Sequence, residues 1–155
     1  MGRQDEGEKI VASNRRARHD YELLEHFECG IQLTGDEVKS LREGRASLVD
    51  CYGRVRGSEV WLEGLHIPPY EQGDKRTHLP LRPRKLLLHR REIDLIAREV
   101  NEKGLSLVPL RIYFTHGMAK VEVALARGKR KYEKRQSIAK REAQREMERA
   151  TGRRH

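Results

Sequence analysis

The chain has 155 residues and a formal net charge of +9. Residues 127–155 carry 12 Lys/Arg against 4 Asp/Glu, whereas residues 1–126 carry 21 against 20, so nearly all the excess sits at one end. That length suits one domain with a modest core, and a basic extension on a balanced body points to a polyanionic partner, nucleic acid first. No apolar run is long enough to cross a bilayer, and the N-terminus has no secretory apolar region, so the cytoplasm is the expected compartment. Two cysteines, Cys29 and Cys51, fit neither a zinc pattern nor a disulfide framework and read as small buried side chains.

Residues 1–13 are polar and small and read as a flexible N-terminus. NRRARHD, 14–20, is a compact basic cluster. YELLEHFECGIQL follows with Tyr21, Leu23, Phe27, Cys29, Ile31 and Leu33 on one parity. That is the period of a long strand with one buried face, and Glu25 breaks it where a bulge fits. In TGDEVKSLREG, Thr34 and Glu37 have capping-box spacing, and Gly44 can end the helix. Strands are expected near 47–56 and 59–67, joined by a Gly57-Ser58 hairpin turn.

Residues 68–84 hold four of the five prolines and form a long kinked loop. Its Arg82, Arg84 and Lys85 lead into KLLLHRREIDLIAREVNEKG. There Ile93, Ile96, Ala97 and Val100 recur at helical spacing, and Gly104 closes the run. LSLVPLRIYF and MAKVEVALA form a second hairpin around Thr115-His116-Gly117, with Pro109 marking an edge or a bulge. Hairpins without βαβ repeats predict a mainly β fold with short helices, an OB-like closed antiparallel β-barrel over 14–127. After Gly128 the chain changes character. Ile138, Ala139, Ala143 and Met147 give only a thin apolar stripe, so residues 128–155 are expected to be disordered when free and helical on a partner.

Enzymatic signatures are missing: no Walker loop, GxGxxG, GxSxG or HExxH occurs. The seven histidines have no metal-ligand spacing, so neither a metal nor another cofactor is expected. Asp20, Glu22 and Glu28 are the one local acidic group a metal nuclease would use, and the expected protein is not an enzyme. Nucleic-acid features are stronger. Lys129, Arg130, Lys131 and Arg135 surround Tyr132, His19 follows Arg15, Arg16 and Arg18, and His89 adjoins Arg90 and Arg91; each joins phosphate-neutralising charge to a planar group. Three further readings stand beside a specific RNA-binding protein: a general or ribosome-associated RNA-binding OB protein, a phosphodiester-cleaving enzyme, and a membrane-surface role for the basic tail.

NRRARHDYELLEHFECGIQLTGDEVKSLREGRASL, KLLLHRREI and AKVEVALARGKRKYEKR, in that order, resemble the small protein B family, the bacterial tmRNA-binding proteins of trans-translation. The likeness runs from Asn14 through the tail. It implies an OB-like barrel that binds the tRNA-like domain of tmRNA. It also implies a C-terminal tail that acts in the vacant decoding centre and mRNA channel of a stalled ribosome, becoming helical there. Implied partners are tmRNA, the ribosome and, through alanyl-tmRNA, elongation factor Tu, with the protein monomeric and free of membranes.

By the same resemblance, Asn14, Glu28, Leu87, His89 and Lys120 fall at tmRNA-binding positions, and His19 at one packing on the RNA. Arg15, Arg16, Arg18, Arg84 and Lys85 complete the expected tmRNA set. Gly128, Lys129, Arg130, Lys131, Tyr132, Glu133, Lys134 and Arg135 are the expected decoding-centre segment. Glu133-Lys134-Arg135 replaces the usual Asp-Lys-Arg, Tyr132 stands where the family has His or an aromatic, and His89 stands where some members have Asn. Glu28 needs a physical reason, since a carboxylate repels phosphate; it can accept from a base edge or orient an arginine.

Overall fold

A computed structural model describes residues 8–76, 78–129 and 142–147. The parity of YELLEHFECGI produces β2 (Tyr21–Ile31), with Phe27 and Cys29 buried and Glu22, His26 and Glu28 exposed. Its register against β7 (Met118–Gly128) shifts between Leu23 and Glu25, so the anticipated bulge is present and Leu24 is the extra residue. On β7, Val121, Val123 and Leu125 point into the same core.

The remaining strands are β1 (Lys9–Ser13), β3 (Tyr52–Arg56), β4 (Glu59–Glu63), β5 (Arg84–Leu87) and β6 (Ser106–Thr115), and all pairings are antiparallel. Followed from strand to strand, they run β6–β3–β4–β5–β2–β7, then from β7 to β6 again, with β1 added on β6. The fold is therefore mainly β with short helices. α1 (Ala17–Asp20) precedes β2, α2 (Gly35–Arg42) follows it, and α3 (Arg90–Lys103) links β5 to β6. The main core gathers Phe27, Leu41, Leu62, Leu86, Ile96, Ile112 and Val123. A smaller, separate one packs Ala17 of α1 on Val108 and Leu110 of β6 and Ala124 and Ala126 of β7.

α2 starts as its sequence dictates: Thr34 accepts from the Glu37 N–H at 3.2 Å, and Glu37 accepts from the Thr34 N–H at 2.8 Å. α3 ends on Gly104 at φ 64°, where a left-handed residue without Cβ strain is required.

Three features depart from the sequence reading, and a fourth decides between the two readings of Pro109. Lys9–Ser13 is a strand on β6 instead of part of a flexible segment, because Val11 and Ala12 pack on the core. Residues 84–87 form β5, not a loop end running into a helix. Leu86 is buried between the Val60 and Ile31 pairings, and helical geometry begins only at Arg90. The expected 47–56 and 59–67 strands shorten to β3 and β4, leaving one Ser47–His66 bridge. Pro109 is a bulge site and not an edge: β6 pairs with β1 on one side and β7 on the other, and its register shifts between Pro109 and Arg111. Strand β7 itself runs through Gly128, which pairs with Tyr21.

Candidate nucleic-acid interface

One row of the sheet carries the most informative geometry. Leu87 of β5 pairs with Gly30 of β2, Gly30 with Lys120 of β7, and Lys120 with Tyr113 of β6. Gly30, having no side chain, leaves a gap between Leu87 and Lys120. A Cβ there would stand 3.2 Å from Leu87 Cβ. A groove of about 570 Å³ opens along this row. Glu28, Leu87, His89 and Lys120 line it, together with Phe114, Met118 and Glu92. Leu87 and Met118 present exposed apolar surface there, at 45% and 61%. The groove therefore offers a cation, two carboxylates, an imidazole and two apolar surfaces, a set suited to phosphate, base edge and ribose or base face.

His89 sits at the N-cap of α3, where its backbone N–H donates to Glu92 Oε1 at 3.1 Å. Glu28 is held from the far side: the Tyr113 hydroxyl donates to its carboxylate. Burial, then the Glu28 hydrogen bond, raises the Tyr113 pKa far above the ordinary phenol value, so the phenol stays a donor. Arg111 lies over the Tyr113 ring at 4.2 Å and donates to Glu122 Oε1 at 3.1 Å and to Glu8. Glu28 and Glu122 are direct cross-strand neighbours, so like charges face each other. The Tyr113 phenol donates to one and the Arg111 cation pairs with the other, which lessens the repulsion. Gly30, Tyr113 and Arg111 were not singled out by sequence reasoning, because only the register across strands reveals them.

The other expected contacts lie elsewhere. Asn14, Arg15 and Arg16 line a second cleft, of about 720 Å³, with Ile10, Val49 and Asp50. Asn14 braces the β6 bulge, its side-chain amide donating to Pro109 O at 3.0 Å and its N–H to Leu110 O at 2.7 Å. Arg15, Arg16, Arg18 and His19 are exposed around α1, and His19 Nδ1 lies 3.0 Å from Asp20 Oδ1. This corner is also where the tail begins, since Lys129 Nζ donates to Arg18 O at 3.0 Å. Along β7 the two regions are separated by Lys120 to Gly128, about 26 Å at ~3.3 Å per residue. Arg130, Lys131, Tyr132, Glu133, Lys134 and Arg135 lie outside the described residues.

Arg84 is a correction. It is fully buried, and its guanidinium donates to Glu37 Oε2 at 2.6 Å, Leu65 O at 2.7 Å, Arg82 O at 3.1 Å and Pro80 O at 3.2 Å. Those partners use its donors, so it has none to offer an RNA phosphate. Lys85 does remain on the surface, paired with Glu59 at 2.7 Å.

Both cysteines are free and buried, and burial pushes each thiol up to about 12. Among the described residues, no group of three or more His, Cys, Asp or Glu is placed to hold a metal ion. Among them, too, no helix is long and apolar enough to cross a membrane.

Comparison with known proteins gives a consistent result. A family model described as SmpB protein matches residues 11–153. The SsrA-binding protein of Salinispora arenicola is 58% identical over 150 residues, covering 97% of this chain and 94% of the relative. That of Thermobifida fusca is 58% identical over 154 residues, covering 98% and 96%. A chain solved in work described as "tmRNA-SmpB: a journey to the center of the bacterial ribosome" aligns with TM-score 0.63 and 52% identity, over 76% of this chain and 82% of that one.

Proposed function

The chain belongs to the SmpB protein family, and from that premise we propose that it is the tmRNA-binding adaptor of trans-translation, gripping the RNA in the groove along the Leu87–Gly30–Lys120 row. One observation carries the assignment of the groove: residues far apart in sequence, Glu28, Leu87, His89 and Lys120, line a single concave surface. Lys120 supplies charge to a phosphate. Leu87 and Met118 give apolar faces to ribose or base. His89 donates or accepts at a base edge.

The ring of strand pairings is read as a closed OB-like barrel, the rigid body that holds this groove. The protein acts by binding, as a monomer in the cytoplasm, and tmRNA brings it to the ribosome, with elongation factor Tu carrying the alanylated RNA. The basic extension that follows β7, with Gly128 and Lys129 at its root, serves the decoding centre and mRNA channel, taking a helical form on ribosomal RNA. The α1 cations Arg15, Arg16 and Arg18 stand beside the root of that extension and join it in contacting RNA. Lys85 contributes at most a rim contact in competition with Glu59.

The test is competition between the tRNA-like domain of tmRNA and unstructured RNA of equal length at moderate salt. The structured RNA is expected to win, because binding through phosphates alone fades steeply as salt rises. Equal competition by both RNAs overturns the proposal in favour of a general RNA-binding protein.

A further inference from the structure

Tyr113 is almost fully buried, at 2% exposure, yet its hydroxyl is satisfied by an exposed carboxylate on the groove wall. The two residues are on β6 and β2, with β7 between them. The phenol therefore reaches diagonally across β7 from the Lys120 row to the Glu28 row. Arg111 covers the ring and is itself pinned between Glu8 and Glu122. The ring that carries the donor is thus held through Arg111 by Glu122 of β7 and by Glu8, just ahead of β1. A glutamate on an exposed strand otherwise samples several rotamers; here the side chain is drawn over β7, beside Lys120.

We propose that Tyr113 is a positioning residue for RNA recognition: its buried phenol fixes the Glu28 carboxylate at the groove as an acceptor for the N–H groups of an unpaired nucleobase edge. A carboxylate accepts only, so phosphate oxygens cannot satisfy it; amino and imino groups of a base can, as can a ribose 2′-hydroxyl, but of these only the base groups carry sequence information. One carboxylate has capacity for the phenol and for a base donor at once. The inference rests on the reading of the groove as the RNA site.

Binding of the tRNA-like domain RNA is measured for the wild type, Tyr113→Phe, Glu28→Gln and the double variant. Tyr113→Phe keeps the ring and removes the donor. It is expected to weaken binding about three- to tenfold. The slope of log affinity against log salt should stay unchanged, because phosphate contacts remain. In the Glu28→Gln background the same substitution should add little, because the acceptor it positions is already altered. Full additivity, or a changed slope with lowered melting temperature, assigns Tyr113 a merely structural role and overturns the inference. Glu28→Asp, at an exposed position, keeps the charge but shortens the reach by one methylene; unchanged affinity there also overturns it, even if Tyr113→Phe fails to fold. Weak, salt-erased binding by the wild type sinks the reading of the groove and this inference with it. Tight wild-type binding unaffected by Tyr113→Phe sinks this inference alone.

Discussion

Arg84 Nε lies 2.6 Å from Glu37 Oε2, and both side chains are excluded from solvent. Glu37 also caps α2 through the Thr34 N–H and receives Arg82 from the proline-rich loop. One carboxylate thus ties the start of α2 to the approach into β5, the strand that carries Leu87 to the groove. Glu37→Gln removes the charge and leaves a buried guanidinium uncompensated. The expected cost is about 3–5 kcal/mol, far above a surface ion pair. Urea unfolding measures it; a loss under about 1 kcal/mol would show that Arg84 finds other compensation.

The same pair predicts an acid limb. Burial alone would raise the Glu37 pKa, but hydrogen bonds from Arg82, the Thr34 N–H and Arg84 outweigh it and hold it below the ordinary value of 4.5. A group with a depressed folded pKa contributes its full stability above the unfolded pKa. That contribution is lost as pH falls through the folded one. The stability gap between wild type and Glu37→Gln should therefore be constant near neutrality and shrink below the usual carboxylate range. A gap independent of pH down to acid unfolding would contradict the assignment.

How much of this was legible beforehand follows from the range of each interaction. The α2 cap, the Gly57-Ser58 turn, the β2 face and the Leu24 bulge are local, and period or spacing displays them. Arg84 sits in the run RPRK, which reads as a cationic loop; nothing local announces a partner at position 37. Strand β5 is hidden because KLLL merges with the helical run after it, and only pairing with Val60 and Gly30 decides its conformation. The basic α1 cluster looks equivalent to the groove residues by composition, yet the sheet sets the two apart along β7. Family resemblance supplied Glu28, but the reason a carboxylate is tolerated there lies in Tyr113 and Arg111, two strands away.

Gly30→Val probes the gap directly. Valine suits a strand, and its side chain would occupy the space between Leu87 and Lys120, with Cβ 3.2 Å from Leu87 Cβ. The nearest atom, Leu87 Cβ, is fixed to the β5 backbone, so the strands must part slightly and the melting temperature should fall by a few degrees. RNA affinity should fall about tenfold or more, the equivalent of ~1.4 kcal/mol. Unchanged affinity with a filled gap would move the RNA site away from this row.

Lys120 and Leu87 flank the same gap with different chemistry, so their alanine variants should differ in kind. Lys120→Ala should lower affinity and reduce the salt slope by about one, the signature of one lost phosphate contact. Leu87→Ala should lower affinity with the slope unchanged. Filter binding across a salt series separates the two. Equal slopes for Lys120→Ala and wild type would mean that the ammonium does not meet a phosphate.

Cutting the chain after Lys129 tests the division between groove and tail. This site preserves the Gly128–Tyr21 pairing and the Lys129 contact to Arg18 O, so the sheet and α1 stay tied together. The removed segment carries ten Lys/Arg and four Asp/Glu, a large charge to lose. Its root nevertheless stands about 26 Å from Lys120 along β7, against a screening length of ~8 Å at physiological salt. The truncated protein should therefore bind the tRNA-like domain within about twofold of the full chain, as expected for distant, independent sites. Peptide tagging on non-stop messages in a bacterial translation extract should be abolished, because all but Gly128 and Lys129 of the segment assigned to the decoding centre is gone. If truncation instead removes tmRNA binding, the extension contributes to the groove's grip and the two surfaces do not act separately; if tagging survives, the decoding-centre role falls.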